Sequence, residues 1–278
     1  LHHNQLNSFK TGRLTNMLNV KKLSEMNDNN IKPIEFLETG CDRFDSIVGG
    51  ILKGGITLFT AASGIGKSLT LTHLAGKLIE KNYHILYVSL ENLERIDYDR
   101  FKNLPYKMNK DNLDYFNFAE CLDSVNIMNE IVEAAVNQTY DIIFIDGLDM
   151  FITGEDGTSL YNQGNEFAKL LVQASTNTSI VLSWQLNRNA NKYKSIADMN
   201  IGDISTSIGL VRWSSTVYGI YFDVKDNKRQ LCLLKSRTGY NTRNSVIDLN
   251  ENTGSDINLN NTMIDKVNEY LAKRKLNN

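Results

Sequence analysis

The run TLFTAASGIGKSLT (57–70) closes an apolar segment on Gly64, Gly66, Lys67 and Ser68, then opens a second one. A glycine-rich turn from strand into helix, ending Gly-Lys-Ser, is the pattern of a phosphate-binding loop in its required context. Gly64 and Gly66 let the backbone curl with its N–H groups facing an anion. The helix N-terminus adds partial positive charge. Ser63, Gly64, Ile65, Gly66, Lys67, Ser68 and Leu69 would then hold the nucleotide. Lys67 would reach the β- and γ-phosphates and Ser68 would ligate Mg2+. Ala61 stands where the general pattern has its first glycine. It falls at the strand exit, where a small residue suffices. An ordinary strand–turn–helix with a chance Gly-Lys-Ser is the bland alternative, and the flanking segments weigh against it.

Two carboxylates follow at apolar strand ends. HILYVSLE delivers Glu91, 24 residues after Lys67, about one crossover helix and one strand later. In an open parallel sheet that end carries the ligand. Glu91 is placed either to orient or deprotonate the attacking water, or to sit as a helix N-terminal carboxylate before NLERI. The residues alone leave both readings open. DIIFIDGLD closes four apolar residues on Asp146, the Walker B form, with the carboxylate facing the Mg2+ water shell. Asp149 follows in the next turn of loop.

Two further polar tips complete the set. VLSWQLNR ends on Gln185, whose amide suits contact with a γ-phosphate or relay to the loop beyond; Asn187 and Arg188 would support that loop. LCLLKSRTGYN places Lys235 and Arg237 two apart after an apolar strand, so both point the same way. Such a pair suits a phosphate clamp, in cis or on the nucleotide of a neighbouring subunit. A solvated strand end and a surface basic pair are the plain alternatives for these two.

The elements that must position these residues alternate. GITLFTA, HILYVSL, DIIFIDG and SIVLSWQ read as strands. GKSLTLTHLAGKLIEK, LERIDYDRFKNL, SVNIMNEIVEAAVNQ and SLYNQGNEFAKLLVQAS read as helices. STVYGIYFD and RQLCLLKSR are strands separated by the charged turn VKDNK. The order predicts an α/β fold with a mostly parallel central sheet flanked by helices and an added hairpin-like pair. Residues 1–33 read as a polar N-terminal linker with one amphipathic helix carrying Leu14, Met17, Leu18 and Leu23. Residues 34–255 form the α/β domain, and 256–278 a C-terminal helical tail containing TMIDKVNEYLAKRK.

The chain has 278 residues, 41% of them apolar, and a net charge of −2. That length buries a sizeable core. Global charge does not announce a nucleic-acid partner, so such contact needs a local basic surface. Three cysteines, Cys41, Cys121 and Cys232, are far apart and odd in number. They make no zinc spacing or disulfide framework and suit a reducing compartment. No apolar run approaches 18 residues and no signal-peptide pattern is present. The expectation is a cytoplasmic protein without a membrane partner. The chain does not begin with Met, so residue 1 is treated as a possible cut point.

In order, AASGIGKS, VSLE, IIFIDGLD, SWQLNR and KSRTGYN resemble the RecA-like motor domain of DnaB-type hexameric replicative helicases, including the phage helicases. The resemblance covers roughly residues 34–250. In that family the phosphate loop often starts with Ala. The resemblance implies a P-loop NTPase using ATP or another NTP with Mg2+, and makes Glu91 the catalytic base. The sensor stretch falls on Gln185-Leu186-Asn187-Arg188, with Trp184 inserted after Ser183. The lysine–x–arginine finger falls on Lys235 and Arg237. It also implies a homo-hexamer, single-stranded DNA as partner, and primase or other replisome proteins. For a phage protein the compartment is the host cytoplasm. The segment DISTSIGLVRWSS departs from the family, carrying Arg212 and Trp213 where an acidic helix is usual. Residues 11–26 correspond to a linker helix that packs on the next subunit.

In such rings two loops per subunit face the pore, here FITGEDGTSLYNQG and NRNANKYKSIADMNIGD. The second carries Arg188, Lys192 and Lys194 around Tyr193. Cations with an interleaved aromatic suit tracking of a single-strand backbone; an exposed polar loop is the plain alternative. LETGCDRFDSIVGGILKGG resembles the segment before the phosphate loop in RecA, RadA and KaiC-like ATPases as well. These ATPases of recombination or regulation are the alternative assignment. KaiC- and RadA-like chains tend to carry paired glutamates where this chain has Glu91-Asn92.

Overall fold

The structure is a computed structural model that describes residues 22–26, 31, 33–117, 124–151, 168–176, 178–204, 208–238 and 246–249. The chain divides into two units, Leu1–Glu35 and Phe36–Asn278. In the first, the described part includes one 3-10 turn, Leu23–Glu25, with no buried side chain. Most of the expected N-terminal helix and the whole C-terminal helix lie outside the described residues.

The second unit is built on one eight-stranded sheet. Its strands are β3 (Ile56–Ala61), β4 (Ile85–Ser89), β5 (Leu113–Asn117), β6 (Ile142–Asp146), β7 (Ser179–Gln185), β8 (Thr216–Asp223), β9 (Lys228–Ser236) and β10 (Val246–Asp248). The order across the sheet is β10-β9-β8-β3-β7-β6-β4-β5. From β8 to β5 every neighbour is parallel. β9 and β10 add on antiparallel at one edge. A separate two-stranded sheet pairs β1 (Phe36–Leu37) with β2 (Ile51–Leu52). The chain therefore has a mostly parallel sheet flanked by helices, as its alternation of elements requires. Among the described residues, no helix is long and apolar enough to cross a membrane.

Strand side chains alternate between the two faces, and both faces are apolar. In β6, Ile142 and Phe144 join one core while Ile143 and Ile145 join the other. The first core is closed by α1 (Asp42–Val48), α2 (Lys67–Glu80) and α3 (Glu94–Lys102), through Phe44, Leu71, Leu74, Leu78 and Phe101. The second is closed by α4 (Ser124–Val136), a helix described over 168–175 (α5), and α6 (Ile208–Trp213). Ile127, Ile131, Leu171 and Leu210 carry that contact. Continuous apolar strands followed by crossover helices leave one sheet edge, the C-terminal strand ends, free to carry chemistry.

The helix after the phosphate loop hides a titratable group. His73 on α2 is fully buried. Its Nδ1 is 2.9 Å from the Tyr106 hydroxyl, and its Nε2 has no partner. Burial, reinforced by Lys77 one turn on, lowers its pKa from 6.5 to about 4. The folded state therefore holds the ring neutral where the unfolded chain would protonate it. Stability is fully present above pH 6.5 and is lost as pH falls from there towards 4. The loss should be on the order of 2–3 kcal/mol between pH 7 and pH 4.5. Urea titrations at both values should show wild type losing that much more than His73→Gln. Equal acid sensitivity in the two would mean another group dominates.

Candidate functional site

The phosphate loop leaves β3 at Ala61 and enters α2 at Lys67. Ala61 lies within the extended strand, in register with Gln185, and its side chain is buried. No left-handed backbone is needed there, so alanine fits. The turn itself needs it: Gly64 has φ +76° and Gly66 φ +115°. A Cβ on Gly64 would meet no atom within 4 Å, so the curl faces open space. Lys67 is buried at the first turn of α2, and Thr70 Oγ1 donates back to the Gly66 carbonyl at 2.9 Å. Ser63 is exposed, Ile65 and Ser68 are half-buried, and Leu69 is buried in the core. One residue that the sequence did not single out secures the loop from outside. Arg229 on β9 is buried and donates from Nε to the Ile65 carbonyl at 3.0 Å. Its guanidinium stacks over Phe222, 4.6 Å from the ring centroid.

The strand order β3-β7-β6-β4 sets the remaining groups side by side. Their tips align in register, Ala61 with Gln185 and Asp146 with Ser89. At ordinary interstrand spacing the four tips span roughly 15 Å. Asp146 ends β6 and is fully buried. Ser183 Oγ donates to its Oδ1 at 2.7 Å. Asn92 Nδ2 and the Tyr87 hydroxyl donate to its Oδ2 at 3.1 Å and 3.4 Å. Donors on both oxygens fix the carboxylate plane, as expected of a group that acts on a metal through water. Trp184, the inserted residue, is buried in the second core. Ser183 and Gln185 stay two apart on the same face.

Glu91 lies two residues beyond the end of β4 and three before the start of α3, whose N-cap is Leu93. Its side chain reaches solvent. Burial of part of the carboxyl raises its pKa above 4.5; Lys67 opposes that, while Asp146 and Asp149 add to it. The approach to β6 is close, since a Cβ on Gly147 would sit 2.8 Å from Glu91 Cβ. Gly147 has φ +83°, a second reason for glycine there. Asp149 follows on a 3-10 turn, with its Oδ1 buried and unpartnered. Its pKa is raised by burial, against its own backbone N–H and Lys67. An unpaired carboxylate oxygen beside Lys67 and Asp146 fits the water shell of a Mg2+ ion. Among the described residues, no three His, Cys, Asp or Glu side chains are grouped to hold a metal by themselves. A nucleotide-bound Mg2+ needs few protein ligands, because phosphates and water supply the rest.

Past Gln185 the chain makes three short 3-10 turns, Arg188–Lys192, Ile196–Asp198 and Ile201–Asp203. Asp203, in the third, ties back to the first. It accepts from the Tyr193 hydroxyl at 2.7 Å, from Asn189 Nδ2 at 3.3 Å and from Asn187 Nδ2 at 3.5 Å. The Tyr193 bond in particular holds the Asp203 carboxyl below its ordinary pKa. Arg188, Lys192, Tyr193 and Lys194 thus lie on a folded loop, with the Tyr193 ring packed against the core. The first expected pore loop, from residue 152 on, lies outside the described residues.

At the β8–β9 end, a bulge sets Val217 opposite Lys235 and Tyr218 opposite Leu233. Lys235 Nζ donates to three carbonyls at the end of α6: Val211 at 2.5 Å, Ser214 at 2.8 Å and Arg212 at 3.0 Å. Burial, with Arg237 nearby, lowers its pKa from 10.5 to about 8. Arg237 Nη2 also donates to the Arg212 carbonyl. The two cations do point the same way, and both meet the C-terminal end of a helix, where positive charge is favoured. The segment that departs from the helicase pattern is therefore their receptor.

No protein-family model matches the chain, and no curated protein sequence matches it. Solved structures do. A DnaB-like replicative helicase, described with its interactions with primase, aligns with TM-score 0.63 and 15% identity over 80% of this chain. This chain spans 61% of that one's length. The ATPase domain of G40P aligns with TM-score 0.63 and 15% identity, over 84% of this chain and 94% of that one. A KaiC-like protein from Pyrococcus horikoshii OT3 aligns with TM-score 0.57 and 14% identity, over 78% and 99%. The chain has the RecA-like P-loop ATPase fold shared by DnaB-like helicase motor domains and KaiC-like proteins.

Proposed function

We propose that this chain is the ATP-hydrolysing motor of a ring helicase that translocates on single-stranded DNA. The observation that carries the reading is the row of strand tips on one sheet edge, phosphate loop, Gln185, Asp146 and Glu91, on a fold shared with DnaB-like helicases. The loop amides and Lys67 would bind the β- and γ-phosphates. Ser68 and Asp146 would hold Mg2+, directly and through water, and the ion supplies charge neutralisation at the phosphates. Glu91 takes a proton from the attacking water, and its raised pKa makes it a better acceptor. Gln185 reads the γ-phosphate and passes its presence along β7 to the loop that Asp203 folds. Arg237 serves the nucleotide of a neighbouring subunit. Arg188, Lys192, Tyr193 and Lys194 track the DNA backbone, repeated around a homo-hexamer, with primase or other replisome proteins as further partners.

The KaiC-like neighbour keeps a second reading, a RecA/RadA/KaiC-like ATPase of recombination or regulation. One experiment separates them. The chain is imaged by negative stain with an ATP analogue and oligo-dT, and assayed for DNA-stimulated turnover and fork unwinding, with Lys67→Ala as control. Rings with stimulated turnover and strand separation support the helicase. Filaments without unwinding, or turnover indifferent to DNA, support the second reading. Lys67→Ala should abolish turnover and weaken nucleotide binding in either case.

A further inference from the structure

We propose that Asn92 is a positioning residue that locks the Glu91 loop onto the Asp146 carboxylate, so that water activation and Mg2+ binding are set by one rigid unit. The inference rests on the ATPase reading of Glu91 and Asp146 and adds a residue to it.

Asn92 sits immediately before the N-cap of α3, one residue short of the position from which an asparagine side chain caps a helix. The N-cap itself, Leu93, makes no side-chain capping bond. Instead the Asn92 amide crosses to the neighbouring strand end and meets Asp146 Oδ2 at 3.1 Å. A carboxylate accepts and cannot donate, so the NH2 group must be the one that faces it. The Asn92 backbone carbonyl is held in turn. It accepts from Asn117 Nδ2 at 2.9 Å, and Asn117 is buried at the end of β5.

On the other side of Glu91, the Leu90 N–H donates to the Asp146 carbonyl at 2.9 Å. Glu91 is thus bracketed by two bonds to the same residue, one to its backbone and one to its side chain. Outside the bracket a polar cluster fixes the start of α3. Asp97 accepts from Ser89 Oγ at 2.5 Å, from Arg100 Nη1 at 2.8 Å and from the Tyr115 hydroxyl at 3.2 Å. Tyr115 accepts from Asn117 at 2.9 Å, which joins the cluster to the Asn92 tether. Removing the Asn92 amide leaves Asp146 Oδ2 only the longer Tyr87 bond at 3.4 Å and takes away the side-chain half of the bracket around Glu91, with little packing lost, since Asn92 is only half-buried.

Outer-shell partners of this kind typically change metal affinity or activity by 10–100-fold. Asn92→Leu should lower kcat by about that factor and leave the KM for ATP within about threefold. The readout beyond activity is the Mg2+ concentration that half-saturates binding of a fluorescent ATP analogue. Asn92→Leu should raise it by roughly 10-fold. The same measurement in an Asp146→Asn background tests the route, because Asn92→Leu should then add no shift. An unshifted Mg2+ midpoint in Asn92→Leu, or a full shift persisting in the Asp146→Asn background, overturns the proposal. Absence of hydrolysis in the wild type would instead overturn the ATPase reading, while the Mg2+ titration still decides the role of Asn92.

Discussion

Glu91→Gln should bind ATP within about threefold of wild type while turnover falls by about 10²–10⁴-fold, the usual worth of a general base. The substitution keeps the shape of the side chain and the close contact with Gly147, and removes only the proton acceptor. The two readings of Glu91 in the sequence predict different losses. A helix N-terminal carboxylate contributes about 0.3–1 kcal/mol to stability and nothing to turnover. In the structure Glu91 stands three residues before the first residue of α3, beyond the N-cap, and its charge responds to Lys67 and Asp146. The pH profile gives an independent check. With the Glu91 pKa raised above 4.5, activity should fall as pH drops through that raised value. Glu91→Gln should lose this acid limb. Equal turnover in wild type and variant would remove Glu91 from the catalytic role.

Arg237→Ala should bind ATP through its own phosphate loop and hydrolyse it about 10³–10⁵-fold more slowly, as for an arginine finger. Lys235 does not replace it. All three of its ammonium donors are used on the α6 carbonyls. Arg237 donates from Nη2 to the Arg212 carbonyl and keeps further N–H donors for two phosphate oxygens. A finger acting in trans makes a mixing test possible. A Glu91→Gln subunit can lend its intact Arg237 to an Arg237→Ala subunit and complete one site. Mixed assemblies should therefore show turnover that neither parent shows. Arg237→Lys should stay strongly impaired, because a point charge cannot bridge two oxygens. Full activity of Arg237→Ala, or of a demonstrated monomer, would exclude a trans-acting finger.

The central strands and the phosphate loop were legible because each is a local signal: a short apolar run, then glycines, lysine or a carboxylate. The elements that were missed lack such a signal. β5 reads LDYFN, with an acid and an amide among its five residues, and its burial is only partial. β10 is three residues long, and β1 and β2 are two each. α1, only seven residues, lay unremarked within the segment before the phosphate loop. Arg229 and Asn92 were missed for another reason. Arg229 meets Ile65 across 164 residues of sequence and Asn92 meets Asp146 across 54, so nothing near either residue announces its partner. The loop after Gln185 shows its cations and its aromatic in the sequence, but the clamp on Asp203 appears only once Tyr193, Asn189 and Asn187 are brought together.

Ala61 and Gly147 show how unevenly the site constrains sequence drift. The position that defines the loop motif on paper lies in extended strand, where any small side chain can be exchanged without cost to the backbone. The glycine after Asp146 lies outside the phosphate loop. Yet it has both a left-handed backbone and the Glu91 Cβ 2.8 Å from where a methyl group would stand. A lineage descending from this chain has latitude at the advertised position and almost none at the unadvertised one. A search for distant relatives weighted on Gly147 and its spacing to Asp146 would therefore lose fewer of them than one demanding the first loop glycine.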